Sequence, residues 1–238
     1  MDLKIKDVAD LLNVSETTIR RWIVDGRIPT YRINQQYFFS RSEIENWMIS
    51  HKLDKTHGIS PFTRRKAVDE MAIQPANTGG SKQFSLFRAI HKGEVIHRLA
   101  GDTKEDIIRS TMHQVAKQLH LDAEVMTDLL LDREQLMPTA LNNGIGAPHT
   151  RDSLHHAHHD AVVVVFPDQP LDYGALDGKP VHTLFFLFAC EDKRHLHLLA
   201  KIAHLSSQPT SLEFFQTRPT KDQLLAFVKE WESQISTA

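Results

Sequence analysis

Residues Ala161-Val162-Val163-Val164-Val165-Phe166 constrain the fold of this chain more than any other segment. The run is apolar throughout and rich in β-branched side chains, with no alternation between apolar and polar positions. A strand of that composition has to be covered on both faces. Leu184-Phe185-Phe186-Leu187-Phe188-Ala189-Cys190 is a second run of the same kind. Helical patterns surround the two. Asp102-Thr103-Lys104-Glu105 opens a helix through Ile107, Ile108, Val115 and Leu119, and another runs near Ala123–Arg133. Lys193–Leu205 reads as a helix, and Thr220-Lys221-Asp222-Gln223 opens the last one. Alternation of this kind predicts an α/β unit with helices on both faces of a sheet.

The first 57 residues follow a different plan. Ile5, Val8, Ala9, Leu11 and Leu12 mark a short amphipathic helix, and Asn13-Val14 marks a turn. Ser15 is placed to cap a second helix that buries Ile19, Trp22 and Ile23 and ends at Gly26 and Pro29. Tyr31–Ile33 and Tyr37–Phe39 flank a polar tip as a β-hairpin wing, and Ser40-Arg41-Ser42-Glu43 reads as a capping box for a third helix with Ile44, Trp47 and Met48. Between the units, residues 58–82 hold Gln74-Pro75-Ala76-Asn77-Thr78-Gly79-Gly80-Ser81, a linker composition, after a possible short helix over Thr63–Ala72. The domain reading is therefore 1–57, a linker over 58–82, and 83–238.

Charge and cysteine content narrow the function. The net charge is −2, so no global field draws the chain to nucleic acid or to a membrane. Residues 1–57 carry nine Lys/Arg against eight Asp/Glu, so DNA contact would need a local patch and would favour two copies binding together. The single cysteine, Cys190, sits in an apolar run and reads as a buried thiol. Without an apolar run of membrane-spanning length or a leader-like start, a cytoplasmic protein is expected.

Gly144-Ile145-Gly146-Ala147-Pro148-His149 presents a histidine on a glycine-rich turn stiffened by proline. Glycines let backbone N–H groups approach an anion closely. Arg133 and His197 are the partners that suit such a histidine, the first with a planar fork of donors for phosphoryl oxygens. Residue chemistry alone leaves this as an anion or phosphoryl site. It also leaves room for an ordinary turn, a surface histidine at 197, and an arginine favoured by a helix C-terminus. His155-His156-Ala157-His158-His159 invites a metal reading, but no carboxylate or thiol completes a tetrahedral set. A solvated loop is expected there, and no metal site.

Two resemblances sharpen the reading. Asp7–Ser15, Thr17-Thr18-Ile19-Arg20-Arg21-Trp22 and Gly26-Arg27-Ile28-Pro29 resemble the excisionase and MerR-like winged helix-turn-helix family. That implies major-groove contact by Thr17, Thr18, Arg20 and Arg21, and backbone or minor-groove contact by Arg27, Arg32 and Gln35. The block from Arg133 to His149, followed by His195-Leu196-His197-Leu198-Leu199, resembles the type 2 IIA domains of the phosphoenolpyruvate-dependent sugar phosphotransferase system, of fructose, mannitol and nitrogen-regulatory type. This resemblance covers about residues 83–238. It implies a mixed sheet with the active site at one end and no cofactor. It implies that His149 takes a phosphoryl group from an HPr-like carrier, with His197 as second histidine and Arg133 holding the phosphoryl group. Thr150 stands where the family motif has glycine, so either the loop differs or position 150 needs no positive φ. The combination implies a cytoplasmic, homodimeric regulator that couples phosphoryl state to double-stranded DNA binding. A relay protein passing phosphate to a IIB partner, or an unphosphorylated interaction protein, are the alternatives.

Overall fold

The computed structural model describes residues 3–12, 14–33, 36–51, 85–150, 154 and 159–236. The expected linker, Gln35 and most of the 155–159 histidine run lie outside them.

The N-terminal unit runs β1 (Leu3–Lys4), α1 (Ile5–Leu12), α2 (Glu16–Val24), β2 (Tyr31–Ile33), β3 (Gln36–Phe39) and α3 (Arg41–His51). Ser15 caps α2 by accepting the Thr18 N–H at 3.1 Å, which satisfies one of the free amides of the first turn. Val8 and Leu12, Ile19 and Trp22, and Ile44 and Met48 bring one buried face of each helix together. Trp47 packs on Trp22 at 5.7 Å and donates its indole N–H to the Arg27 carbonyl. The hairpin β2–β3 forms as the sequence predicts. Strand β1, too short to leave a pattern, adds antiparallel to the other side of β3.

The C-terminal unit runs α4 (Ser85–Lys92), β4 (Val95–Leu99), α5 (Lys104–Val115), α6 (Ala123–Leu136), β5 (Ala140–Leu141), β6 (Ile145–Gly146), β7 (Ala161–Pro167), β8 (Thr183–Phe188), α7 (Asp192–Leu205), α8 (Pro209–Gln216) and α9 (Lys221–Ser236). The sheet order is β4-β7-β8-β6-β5. β4 pairs parallel with β7 and β6 parallel with β8, while β7–β8 and β5–β6 are antiparallel, so the sheet is mixed. The two apolar runs are its central strands. Val162, Val164, Phe166, Phe185 and Leu187 enter the core on the side of α4, α7, α8 and α9. Val163, Val165, Leu184 and Phe186 meet Ile107, Ile108 and Met112 of α5 and Met126 and Leu130 of α6 on the other side. Each such side chain removed from water contributes about 1.5–3 kcal/mol, which explains why this strand pair organises both layers.

Helices α1 and α3 of the N-terminal unit pack on α7, and the first core continues without interruption across both units. Ion pairs Asp7–Lys193 (2.8 Å) and Arg41–Asp192 (2.7 Å) border this contact.

A buried carboxylate ties three helices of the C-terminal unit. Glu232 of α9 accepts the Leu86 and Phe87 N–H groups at 3.0 and 2.9 Å, capping α4, and pairs with Lys201 of α7. Burial, the largest influence, pulls the Lys201 ammonium below its ordinary range against the pull of Glu232. Glu232→Ala takes the carboxylate from that buried ammonium and from two amides, and should cost about 3–5 kcal/mol in urea unfolding. A loss below about 1 kcal/mol would mean that water replaces the carboxylate.

Candidate active site

His149 lies where the chain leaves β6. Its backbone bridges in parallel to Leu187 on the central strand β8, and the Leu187 N–H donates to the Pro148 carbonyl at 2.9 Å. The site therefore sits against the rigid centre of the sheet. The ring is fully buried. Its Nδ1 stands 2.7 Å from the Ala147 carbonyl. A carbonyl can only accept, so Nδ1 carries the proton, and in the neutral ring Nε2 keeps its lone pair.

A chain of hydrogen bonds fixes that carbonyl from below. The Glu134 carboxylate, near the end of α6, accepts the Thr139 N–H (3.2 and 3.1 Å) and hydroxyl (2.6 Å). The Thr139 carbonyl accepts the Ala147 N–H at 3.0 Å. Burial, the largest influence on Glu134, raises its carboxyl above the ordinary range despite the Thr139 and Lys104 donors.

The groups that face His149 from above come from both units. His195 of α7 stacks edge-on at 5.2 Å. Glu45 of α3 is buried between the two rings: Oε2 is 3.7 Å from His149 Nε2, and Oε1 is 3.2 Å from His195 Nε2. Arg41, one turn earlier on α3, donates Nε–H to Glu45 Oε1 at 2.9 Å. Burial pushes the Glu45 carboxyl up, but the two imidazoles beside it outweigh burial and leave it well below the carboxylate range. Burial lowers His195 to about 4 against the pull of Glu45, so its ring is neutral at pH 7. Arg133, also buried, donates to the Met137 carbonyl at 3.1 Å and to the Asn46 side-chain oxygen at 3.0 Å. Two adjacent residues of α3 thus cover both His149 and Arg133. Glu45, His149 and His195 are also a set of potential metal ligands, with one atom from each within 4.8 Å of the others, where the sequence predicts no metal site.

Three expectations change in detail. His197 lies two residues beyond His195, the histidine that stacks on His149. It lines a cavity of about 660 Å³ between the units, with Asp7, Asp10, Arg88 and Lys92, and His195 takes the place beside His149. Helical phase holds the signal: His195 shares a face with the buried Leu199 and Ile202, whereas His197 falls with the part-buried Lys201 and His204. The glycines serve the space and geometry of the turn. Gly144 has φ +76, and a Cβ on Gly146 would lie 2.5 Å from Leu184. The Ala147 N–H is already spent on Thr139. Thr150 is buried and is not among the residues with positive φ, so threonine fits where the motif has glycine. Glu45 carries no sequence signal of this role.

On the N-terminal unit, Thr17, Arg20 and Arg21 stand exposed on α2, with Arg20 near Glu16 at 3.6 Å. Thr18 uses its hydroxyl with Ser15 at 2.9 Å. Arg27 is part-buried, and Arg32 lies exposed over the Tyr37 ring at 5.9 Å. The contact with α7 uses α1 and α3 and leaves this face of α2 open. No helix among the described residues is long and apolar enough to cross a membrane.

Comparison with known proteins agrees with this division. The profile of the phosphoenolpyruvate-dependent sugar phosphotransferase system EIIA 2 family matches residues 88–231, and a helix-turn-helix domain profile matches residues 3–52. A nitrogen regulatory protein from Pseudomonas aeruginosa is 32% identical over 146 residues, 60% of this chain and 94% of that protein. The mannitol-specific phosphotransferase enzyme IIA component of Geobacillus stearothermophilus is 29% identical over 104 residues, 43% of this chain and 70% of the relative. The crystal structure of nitrogen regulatory protein IIA-Ntr from Neisseria meningitidis superposes with a TM-score of 0.54 at 23% identity, over 60% of this chain and 97% of that one, a likeness of fold.

The buried Glu134 makes stability depend on pH with a defined sign. Its folded pKa is raised, so the folded state binds more protons than the unfolded state above the ordinary glutamate value, and stability falls as pH rises through that window. Glu134→Gln removes this contribution. The stability difference between Glu134→Gln and the wild type should shift in favour of the variant as pH rises from about 4.5, in denaturant titrations at several pH values. A difference independent of pH would show that the carboxylate keeps its ordinary pKa.

Proposed function

The chain belongs to the EIIA type 2 family of the phosphoenolpyruvate-dependent sugar phosphotransferase system, and on that premise we propose that His149 accepts a phosphoryl group from an HPr-type phosphohistidine carrier and that this event regulates DNA binding by the N-terminal helix-turn-helix domain. The neutral ring attacks phosphorus through Nε2, whose lone pair the Ala147 hydrogen bond leaves free. The N–P bond of the carrier breaks as the new one forms. The transition state is loose, so positioning and charge stabilisation matter most. Arg133 supplies its fork to the equatorial oxygens, and His195 supplies a hydrogen bond.

The burial of His149 beneath Glu45 carries the coupling. A carrier reaches Nε2 only after α3 lifts away. The phosphohistidine that results cannot share its space with a carboxylate. Two unit charges 4 Å apart repel by about 4 kcal/mol at an effective dielectric near 20, and a phosphoryl group carries more than one. Shifting a two-state equilibrium from 1:99 to 99:1 takes about 5.5 kcal/mol. Phosphorylation is therefore strong enough to hold the N-terminal domain away. Thr17, Arg20 and Arg21 contact the major groove, and Arg27 and Arg32 contact the backbone, in a homodimer on double-stranded DNA. The α2 face is open while α3 is docked, so the phosphoryl state acts by reorienting the DNA-binding domains rather than by masking them.

Incubation with phosphoenolpyruvate, the first enzyme of the relay and the carrier should add one acid-labile, alkali-stable phosphoryl group to the intact mass. His149→Ala should abolish it. Arg133→Ala should slow acceptance by about 10²–10³, and Glu45→Ala should speed it at least about tenfold, the factor that 1.4 kcal/mol of lost docking represents. Labelling of His149→Ala at the wild-type level would overturn the assignment. Operator affinity, measured on a site selected from random DNA, should differ about 5- to 150-fold between the two phosphoryl states of the full chain. Equal affinities would remove the regulatory part.

A further inference from the structure

Glu45, His149 and His195 form a three-ligand site built across two domains, and we propose that it binds a divalent cation of the zinc class and that the ion locks α3 over His149. His149 meets the requirement for a ligand before any ion arrives. Its Nδ1–H is held by the Ala147 carbonyl at 2.7 Å, which leaves Nε2, on the side of Glu45, as the nitrogen that can ligate in the neutral ring. Metal-binding histidines are oriented in this way by a hydrogen bond from the other ring nitrogen. Arg41 does the same for the carboxylate, donating to Oε1 at 2.9 Å and leaving Oε2 toward His149.

The atoms face each other in a manner that asks for a cation. Nε2 of His149 and both ring nitrogens of His195 are buried, and none has a hydrogen bond of acceptable geometry among the described residues. Nε2 of His149 stands 3.7 Å from one carboxylate oxygen, beyond hydrogen-bond reach, and Nε2 of His195 stands 3.2 Å from the other. Zinc bonds of about 2.0–2.2 Å in tetrahedral geometry set ligand atoms about 3.3 Å apart. The two spacings to the carboxylate, 3.7 and 3.2 Å, bracket that value, and the three ligand atoms lie within 4.8 Å of one another, so the side chains would draw together around the ion. Two imidazoles and one carboxylate suit zinc better than calcium or magnesium, which take oxygen ligands. Three protein ligands leave a fourth position for water.

The ion would use the Nε2 lone pair that attacks phosphorus, so cation and phosphoryl group exclude each other. That consequence rests on the reading of His149 as acceptor; the site itself does not.

The test uses the full chain with His155, His156, His158 and His159 replaced by Asn, to remove adventitious binding. After chelator treatment this variant should take up one equivalent of Zn²⁺ by calorimetry, and Co²⁺ should give the intense visible bands of a tetrahedral site. Arg41→Ala, which removes the brace and no ligand, should weaken binding about 10- to 100-fold. Glu45→Gln and His195→Ala should abolish the bound equivalent. No stoichiometric uptake by the four-histidine variant, or uptake that Glu45→Gln leaves unchanged, would overturn the site. Zn²⁺ should also block phosphorylation, and chelator should restore it. Phosphorylation that proceeds at the same rate with the site filled would overturn the exclusion. Failure of the relay to label chelator-treated protein would instead count against His149 as acceptor and leave the cation site standing.

Discussion

A carboxylate buried between two imidazoles governs how the two domains of this chain relate. Glu45 is only 2% exposed, and an isolated charge at such a depth costs several kcal/mol. It is tolerable because Arg41 donates to one oxygen and two histidines flank the group. Those histidines belong to the other domain. Glu45 is therefore satisfied in this way only through the packing of the N-terminal unit on α7. The ion pairs Asp7–Lys193 and Arg41–Asp192 add to the contact, but Asp7–Lys193 is solvated on the lysine side, and such pairs contribute little.

The site is held independently from beneath. Glu134, Thr139 and Ala147 form a relay of hydrogen bonds that ends on His149 Nδ1 and decides which ring nitrogen is free. None of these groups comes from the N-terminal domain. The C-terminal domain alone thus fixes which His149 nitrogen carries the proton, and the N-terminal domain covers the ring. In the proposed switch, readiness and access would be set by separate parts of the molecule. An element with two arrangements, each compatible with one ligand, is what gives a coupling between distant sites physical content.

Much of this was legible in the residues. The Ala161–Phe166 run specifies an inner strand because nothing in it is polar enough to face water, and it pairs with the 184–188 run as a central strand of a mixed sheet. The Ser15 cap and the Tyr31–Phe39 hairpin form where local chemistry puts them. Strands β5 and β6 leave no pattern because they are two residues long and are set by pairing alone. His195 and His197 differ by little except helical phase, and motif spacing alone points to His197, whereas His195 is the one that stacks on His149. Glu45 was beyond reach. Its role exists only when a helix from one domain meets a helix from the other, and no local signal records a contact of that range.

On the proposed reading, α3 and a phosphoryl group compete for His149. The most direct test is the distance between the domains in the two states. Spin labels at Val24 and Leu129, both exposed, in a Cys190→Ala background, would report it by pulsed electron resonance. Competition between the two gives a narrow distance distribution in the unphosphorylated chain, replaced by a longer and broader one on stoichiometric phosphorylation and restored on hydrolysis. A distribution unchanged in fully phosphorylated protein would contradict it.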